Sequence, residues 1–414
     1  MSKILIKDIK SLEPHQIAAL AISDKAYIPD LMAIIRNQSI TKLEPWDGCY
    51  AATPTGPTPW YDGWDPNSRV LVSLLICIGI KHGVWNTFDK DSLLKSAIYA
   101  IQSEIRQNRI PVTYTNVAIS MAVCCIYLGG ISQDDFMYTY GETMLQAVTE
   151  DRLTRGGFCE FNSPTYLGVS ILATNFLNQV YDKDFALNEL LYNDLERIWV
   201  SEIRDFVGPS SRSYGPSVNS HFSLSLLAIG DAEIVNDYSP PEHREDSVFQ
   251  AVFDLVKPST IKKNPKHTLD PVEINSIASI SQYKSDAKLY LGAGTYDKNS
   301  WHHQSTSITI HGLNTAMTLA HPFIKPQISK DKVEWDWVKT NDTGNPAWLW
   351  GSILNQNINN THKQRIIAMK GWNIKVLDNN HIKIGSNELK VYPSIIKTAT
   401  GVALKPGAGY IELL

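Results

Sequence analysis

The sequence predicts an α+β multidomain protein: an N-terminal (α/α) toroid of helical hairpins over residues 1–260, followed by a C-terminal antiparallel β-sandwich over residues 261–414. Three observations predict it. Apolar runs alternate with amphipathic, charge-rich runs through the first part of the chain. The apolar runs recur at a spacing of about 50 residues, each opening near an asparagine. Beyond about residue 265 the pattern changes to short β-rich runs separated by Gly, Asn and Asp turns.

The apolar runs are "DPNSRVLVSLLICIG" with Asn67, "YTNVAISMAVCCIYLGG" with Asn116, "EFNSPTYLGVSILATNFL" with Asn162 and "SVNSHFSLSLLAIG" with Asn219. Each Asn stands where a helix should start, so N-capping is its natural role. The amphipathic partners are Asp89–Arg109, Ser132–Arg152, Asp184–Phe206 and Pro241–Lys257. Paired greasy and amphipathic helices imply two layers, the greasy helices inside. An open solenoid is the competing arrangement, but it usually keeps a tighter repeat. In a toroid all inner helices start at one end, so the Asn-headed turns would line one mouth. The segment Val256–Pro271 is proline-rich, basic and aperiodic, and reads as the linker. Past it, "KLYLGAGTY", "STSITIHGL", "NIKVLDNNHIKIGSNELKVYPSIIKTATGVALK" and "YIELL" read as strands, with "DNN" and "GSN" as turns.

Composition narrows the function. With 414 residues, 43% of them hydrophobic, the chain can bury a large core. The net charge of −4 is spread without a basic stripe, so no nucleic-acid partner is expected. An unbroken apolar stretch of about 18 residues is missing, so no membrane span is expected. The N-terminal "MSKILIKDIKSLEPHQ" is broken by charges and does not read as a secretory signal. Five cysteines without metal-ligand spacing suit reduced thiols, and the expected location is the cytoplasm. Cys124 and Cys125, inside an apolar helix, read as core packing. With no dinucleotide-binding, Walker, HExxH or GxSxG motif, no cofactor is expected.

Three clusters could carry chemistry. The first is Glu160, Asn162 and Tyr166, with Asn162 at a helix start and Tyr166 four residues on, near the same end. The plainer alternative is a cap, a first-turn Pro164 and a packed tyrosine. The second is "VGPSSRSYGPSVNSHF", which holds Arg212, Tyr214, Asn219 and His221 in a loop braced by Gly and Pro. It could equally be a surface loop with an exposed arginine. The third is Trp301, His302, His303 and Gln304, at a turn leading into a strand. Neighbours on a strand point to opposite faces, so no metal site is expected there, and the group suits a sugar ring better. Trp60 and Trp64 in "EPWDGCYAATPTGPTPWYDGWDP", together with Asn116, are further candidates for walling a cleft.

This organisation, with "EFNSPTYLGV", "VGPSSRSYG" and the Trp-His-His-Gln turn, resembles the heparinase II/III-like (α/α)-toroid polysaccharide lyases. The resemblance implies β-elimination on a uronate-containing glycan. An Asn neutralises the uronate carboxylate, a Tyr or His takes the C5 proton, and a Tyr protonates the leaving oxygen. By type, Asn162 would be the neutraliser, and Tyr166, Tyr214 or His221 the base and acid. Asn162 is followed by Ser163 where the family often has His. The residue types suit the reaction: an amide and the Arg212 guanidinium can stabilise an enolate, His221 is a base near neutral pKa, and a tyrosine stays protonated at pH 7. The same set would also serve an intracellular small-molecule cyclase, isomerase or dehydratase of the terpenoid or polyketide type, in a closed aromatic pocket. A third class is a non-catalytic carbohydrate-binding protein. The expected partner is therefore a small-molecule or oligosaccharide substrate.

Overall fold

The structure is a computed structural model that describes residues 12–42, 45–61, 63, 65–155, 158, 164–182, 187–199, 248–256, 280–284, 290–294, 307–312, 315–320, 324–328, 332–337, 364–368, 374–384, 387–392, 394–398, 401–404 and 409–414. The first part of the chain is helical and the last part is antiparallel β. Two units emerge, one of Met1–Thr149, Gly168–Asn188 and Ser223–Ile261, the other of Glu150–Leu167, Glu189–Phe222 and Lys262–Leu414.

In chain order the helices are α1 (Pro14–Ser23), α2 (Ile28–Arg36), α3 (Asn67–Lys81), α4 (Thr87–Gln107), α5 (Thr115–Ser132), α6 (Asp135–Arg155), α7 (Pro164–Val180), α8 (Leu187–Trp199) and α9 (Gln250–Val256). The greasy and amphipathic runs behave differently. In α3 and α5 nearly every side chain is buried. In α4 burial follows a stripe, Leu93, Ser96, Ala97, Ala100, Ile101, Ser103 and Glu104, and the charges lie elsewhere. Cys77, Cys124 and Cys125 are fully buried, so the cysteine pair is core packing as expected. Burial pushes the thiols of Cys77 and Cys125 well up.

Contacts inside the first unit set the helix directions. The Asn67 amide donates to the Tyr114 hydroxyl (2.8 Å), which joins the starts of α3 and α5. At the other end His82, just past α3, bonds Gln179 of α7 (2.9 Å), and Gln179 donates to the carbonyl of Leu255 in α9 (3.0 Å). His15 in the first turn of α1 stacks on Phe249, at the start of α9. Helices α3 and α5 therefore start at one end, and α3, α7 and α9 finish at the other.

Two expectations are corrected here. Asn67 and Asn116 do not cap their helices. Pro66 already has helical angles, and the Asp65 carboxylate accepts the Asn67 amide (2.9 Å), so Asp65 caps and proline fills the first turn. The residue before α5 is Tyr114, whose side chain makes no cap bond. Among the described residues an Asn cap does form at Asn86, on amphipathic α4, accepting from the Asp89 amide (3.0 Å). The region is also not helical throughout: β1 (Ala51–Thr53) and β2 (Gly56–Pro59) form a hairpin between α2 and α3.

Helix α5 bears on the expected lack of a membrane span. By length and composition it is apolar enough to cross a membrane. Asn116 and Ser120 interrupt its apolar run. In the fold it lies against α3 and α4 and is mostly buried. Close approach of α6 encloses it further: a Cβ on Gly141 would stand 2.6 Å from the Ala122 carbonyl oxygen.

The β part forms two sheets whose neighbours all pair antiparallel. The six-stranded sheet has the order β10 (Ile374–Val376), β11 (His381–Ile384), β12 (Asn387–Tyr392), β15 (Gly409–Leu413), β8 (Lys332–Trp337), β7 (Ile324–Ile328). The seven-stranded sheet runs β13 (Ile395–Thr398), β14 (Gly401–Leu404), β9 (Gln364–Ala368), β6 (Thr315–Ala320), β5 (Ser307–Gly312), β4 (Tyr290–Gly294), β3 (Ile280–Lys284). The chain leaves the first sheet after β12, makes the β13–β14 hairpin in the second, and returns as β15. In the six-stranded sheet Ile382, Leu389, Val391 and Ile411 are fully buried, while the alternate residues carry the polar face.

Gly141→Ala should destabilise the protein by about 1–3 kcal/mol, because the helices must part to admit the methyl group. Gly130→Ala, on the exposed side of α5 with nothing within 4 Å, should be neutral or stabilise by roughly 0.5–1 kcal/mol. Urea unfolding of both variants measures the contrast; equal effects would contradict the close α5–α6 approach.

Candidate functional site

The end of the first unit where α3 and α5 start is where polar and aromatic groups gather. Its foundation is a buried arginine. Arg69 lies in the first turn of α3 and is completely buried. An unpaired guanidinium there would be prohibitive, and the surrounding chain supplies its acceptors. Nε donates to the Asp47 carbonyl (2.6 Å), Nη1 to the Glu104 carboxylate (3.0 Å), and Nη2 to the Pro45 carbonyl. Both terminal nitrogens also reach the Gly63 carbonyl (3.3 Å). Arg109 donates to the same Gly63 carbonyl (3.1 Å) and to Glu104 (3.4 Å). Burial pulls Arg69 down from its ordinary value while Glu104 opposes the shift; an arginine nevertheless stays charged.

Asp47 is the second anchor. Its carboxylate accepts from Tyr99 (2.6 Å), Ser103 (2.8 Å), Arg106 (2.9 Å) and the Lys42 amide (3.0 Å). Burial pushes this carboxyl up, but the four hydrogen bonds together outweigh it and hold Asp47 below its ordinary value. Tyr99 is pushed up to about 12 by burial and by the Asp47 carboxylate. Gly48, with φ +77°, lets the chain pass against Ser103 where a Cβ would come within 2.7 Å. The segment from Pro45 to Gly63 is thus bound to α3 and α4 through its own carbonyls and one carboxylate.

That segment presents an aromatic pile. Tyr50 donates its amide to the Ser68 carbonyl in the first turn of α3 (3.0 Å), and Trp60 donates to the Tyr50 carbonyl (2.8 Å). Trp60 stacks on His15 (5.1 Å between centroids) and on Tyr61 (4.6 Å); the far side of His15 meets Phe249 (5.6 Å). The order is Phe249, His15, Trp60, Tyr61. The first three are buried and Tyr61 is 39% exposed. His15 Nδ1 lies 3.3 Å from the Glu13 carboxylate. Tyr61 holds φ +58°, a left-handed conformation that non-glycine residues seldom adopt.

Of the predicted site residues, Trp60 and Asn116 fall at this end of the first unit: Trp60 in the pile, Asn116 buried next to Tyr114 and the Asn67 link. Tyr166 is half-buried in the first turn of α7, at a place assigned to the other unit. Asn162, Arg212, Tyr214, His221, Glu160, Trp64, Trp301, His302, His303 and Gln304 lie outside the described residues. Among the described residues no group of His, Cys, Asp and Glu is arranged to hold a metal ion.

Sequence reasoning missed Arg69, Asp47, Glu104, His15 and Phe249. For Arg69 a signal existed: it is the one charge within "NSRVLVSLLICIG", and a cation in an otherwise buried run needs a buried anion. Nothing in the sequence told which acid.

A family model described as a domain of unknown function (DUF8769) matches residues 26–258. The match spans more than half of the 414 residues, and the chain belongs to that family. No curated protein matches the chain.

Arg69→Met should cost about 3–5 kcal/mol, since it strands Glu104 in the interior. Adding Glu104→Leu should not restore stability, because the carbonyls of Pro45, Asp47 and Gly63 still lose their donor. Full recovery in the double variant would show that the ion pair alone matters. Asp47→Asn tests the pH dependence. A depressed carboxyl stabilises the fold above its unfolded pKa of about 3.9, and that contribution is lost as pH falls through the folded value. The stability gap between wild type and Asp47→Asn, measured by urea unfolding, should be widest near neutrality and close below about pH 4. A gap that persists unchanged into strong acid would contradict the ionised role of Asp47.

Proposed function

We propose that the protein is a lyase-type enzyme that carries out metal-free β-elimination on a uronate-containing glycan. In this reading residues 1–260 form an (α/α) toroid that is the catalytic domain, and residues 261–414 form a β-sandwich. The observation that carries it is the shared direction of the greasy helices: α3 and α5 start together, and α3 and α7 finish together. For the sandwich, the support is the chain's passage from one antiparallel sheet to the other and back.

The chemistry follows from the residue types. Asn162 neutralises the uronate carboxylate, and Arg212 stabilises the enolate charge that develops as the proton leaves. His221, or one of Tyr166 and Tyr214, takes the C5 proton. The electron pair forms the C4–C5 double bond as the C4–O bond breaks, and a tyrosine returns a proton to the leaving oxygen.

A second reading rests on the aromatic pile. Phe249, His15 and Trp60 are buried rings stacked in series, which favours a closed aromatic pocket and hence a small-molecule cyclase, isomerase or dehydratase.

Incubation with a panel of polyuronates, followed by ultraviolet absorbance of the unsaturated product, separates the two. His221→Ala should lower kcat by about 10²–10⁴-fold if His221 is the base. If Tyr166→Phe or Tyr214→Phe does so instead, the base is that tyrosine. No unsaturated product from any uronate, with turnover of a terpenoid or polyketide, would replace the lyase reading with the second.

A further inference from the structure

The segment clamped by Arg69 carries two exposed rings that neither reading uses, Trp46 at 46% exposure and Tyr61 at 39%. The backbone beneath both is fixed. The carbonyls on either side of Trp46, those of Pro45 and Asp47, accept from Arg69, and its own carbonyl accepts the Cys49 amide (3.0 Å). The indole lies against Gly63, where an added Cβ would come within 2.7 Å of its Cδ1. Gly63 stands two residues beyond Tyr61, and its carbonyl accepts from Arg69 (3.3 Å) and Arg109 (3.1 Å). Trp46 and Tyr61 are therefore neighbours at the surface, on a backbone held from inside.

Tyr61 reaches its place through strain. In an extended chain successive side chains point to opposite faces, so a tyrosine after the buried Trp60 would turn away from it. The left-handed angle, φ +58°, folds the Tyr61 ring back onto Trp60, 4.6 Å between centroids and 21° between planes. Much of the ring stays open to solvent even so, and core packing does not explain strain at such a position. Strained backbone of this kind clusters at ligand sites. Trp46 points the same way, because tryptophan is highly buried on average and here a fixed backbone holds one out.

The openness of the surface selects the occupant. A small apolar molecule needs a pocket that encloses most of its area, and these rings stand open. Each ring also has a polar edge, a phenol hydroxyl or an indole N–H. A pyranose chain has apolar C–H faces for the rings and hydroxyls for their edges, and it can lie along an open surface. The exposed cation of the clamp, Arg106, is already held by the Asp47 carboxylate (2.9 Å), so recognition rests on the rings and not on charge.

We propose that Trp46 and Tyr61 form a sugar platform, on which pyranose rings of a glycan chain stack. For the glycan class the proposal rests on the lyase reading; the fixed, open rings are an observation independent of it.

The test is binding of the full chain to polygalacturonate, and to the same polymer with its carboxyls reduced to alcohols, by affinity electrophoresis and tryptophan fluorescence. Polyproline is the comparison, because proline-rich peptides also dock on aromatic surfaces. Both glycans should bind. Trp46→Ala and Tyr61→Gly should each weaken binding about 3–10-fold, the loss expected for one aromatic contact. Glycine adopts the left-handed backbone without strain, so the loss in Tyr61→Gly reports the ring and not the fold. Phe88→Ala, at an exposed ring on α4, should bind like wild type. The proposal is overturned if neither glycan binds, if only the charged polymer binds, or if polyproline binds as tightly. It is equally overturned if Trp46→Ala or Tyr61→Gly binds like wild type, or if Phe88→Ala weakens binding as much. Cleavage is scored separately. Binding that depends on Trp46 and Tyr61, without unsaturated product from any polyuronate, would sink the lyase reading and leave the platform standing. Unsaturated product with binding indifferent to both rings would do the reverse.

Discussion

A charge buried where no water can reach it constrains everything around it, and in the first unit that charge is the Arg69 guanidinium. Its position looks unfavourable at first sight. It lies in the first turn of α3, where the helix dipole is positive, while Glu104 lies in the last turn of α4, where the dipole is negative. Each charge opposes the field of its own helix. The antiparallel arrangement reverses the account, because the start of α3 meets the end of α4. Arg69 then sits beside the carbonyl end of α4, and Glu104 beside the amide end of α3. The pair is compatible with the fold only while the two helices hold this register, so it specifies the packing as well as contributing to it. The remaining donors of Arg69 require carbonyls, and the Pro45–Gly63 segment supplies three.

From that clamp the presentation of the aromatic pile follows. A segment rich in Pro, Gly and Trp has little regular structure to stiffen it, only a short hairpin. Its conformation is instead fixed from beneath, by Arg69 and Arg109 on its carbonyls and by Tyr99, Ser103 and Arg106 on Asp47. Trp60 can therefore stand in series with His15 and Phe249, residues far apart in sequence. The left-handed Tyr61 is a conformation that costs energy and persists only where its surroundings over-determine it.

The helices were legible because burial leaves a periodic trace. Twofold alternation and turn residues marked β10 to β15 equally well: "DNN" and "GSN" do separate strands. The caps were misread for a physical reason. Asn is a good cap in isolation, but in "DPN" the proline prefers the first helical position and passes the capping role back to Asp65. Asn67 is then free to use its side-chain amide on Tyr114, a contact between runs that no local rule can foresee. The buried network was illegible for the same reason. Arg69, Asp47 and Glu104 are each ordinary in their own windows, and their partnership exists only once α4 has turned back along α3. Of the predicted site, Trp60 and Asn116 fall at the helix-start end, whereas most of the proposed acid–base set lies outside the described residues.

The stretch shared with the family begins at residue 26, but the physical unit begins earlier. In α1 every residue from Pro14 to Ala21 is buried, and the helix lies against α3 and α9. Ile17 and Leu20 complete the apolar surface that those helices turn toward it, and His15 is an inner ring of the aromatic pile. Burial of a large aliphatic side chain is worth roughly 1.5–3 kcal/mol, so these two residues alone weigh several kcal/mol against a typical total of about 5–15. A helix whose whole circumference is covered cannot be an appendage to a fold completed without it. The smallest stretch able to close this core therefore includes α1, and with it the histidine that links Trp60 to Phe249.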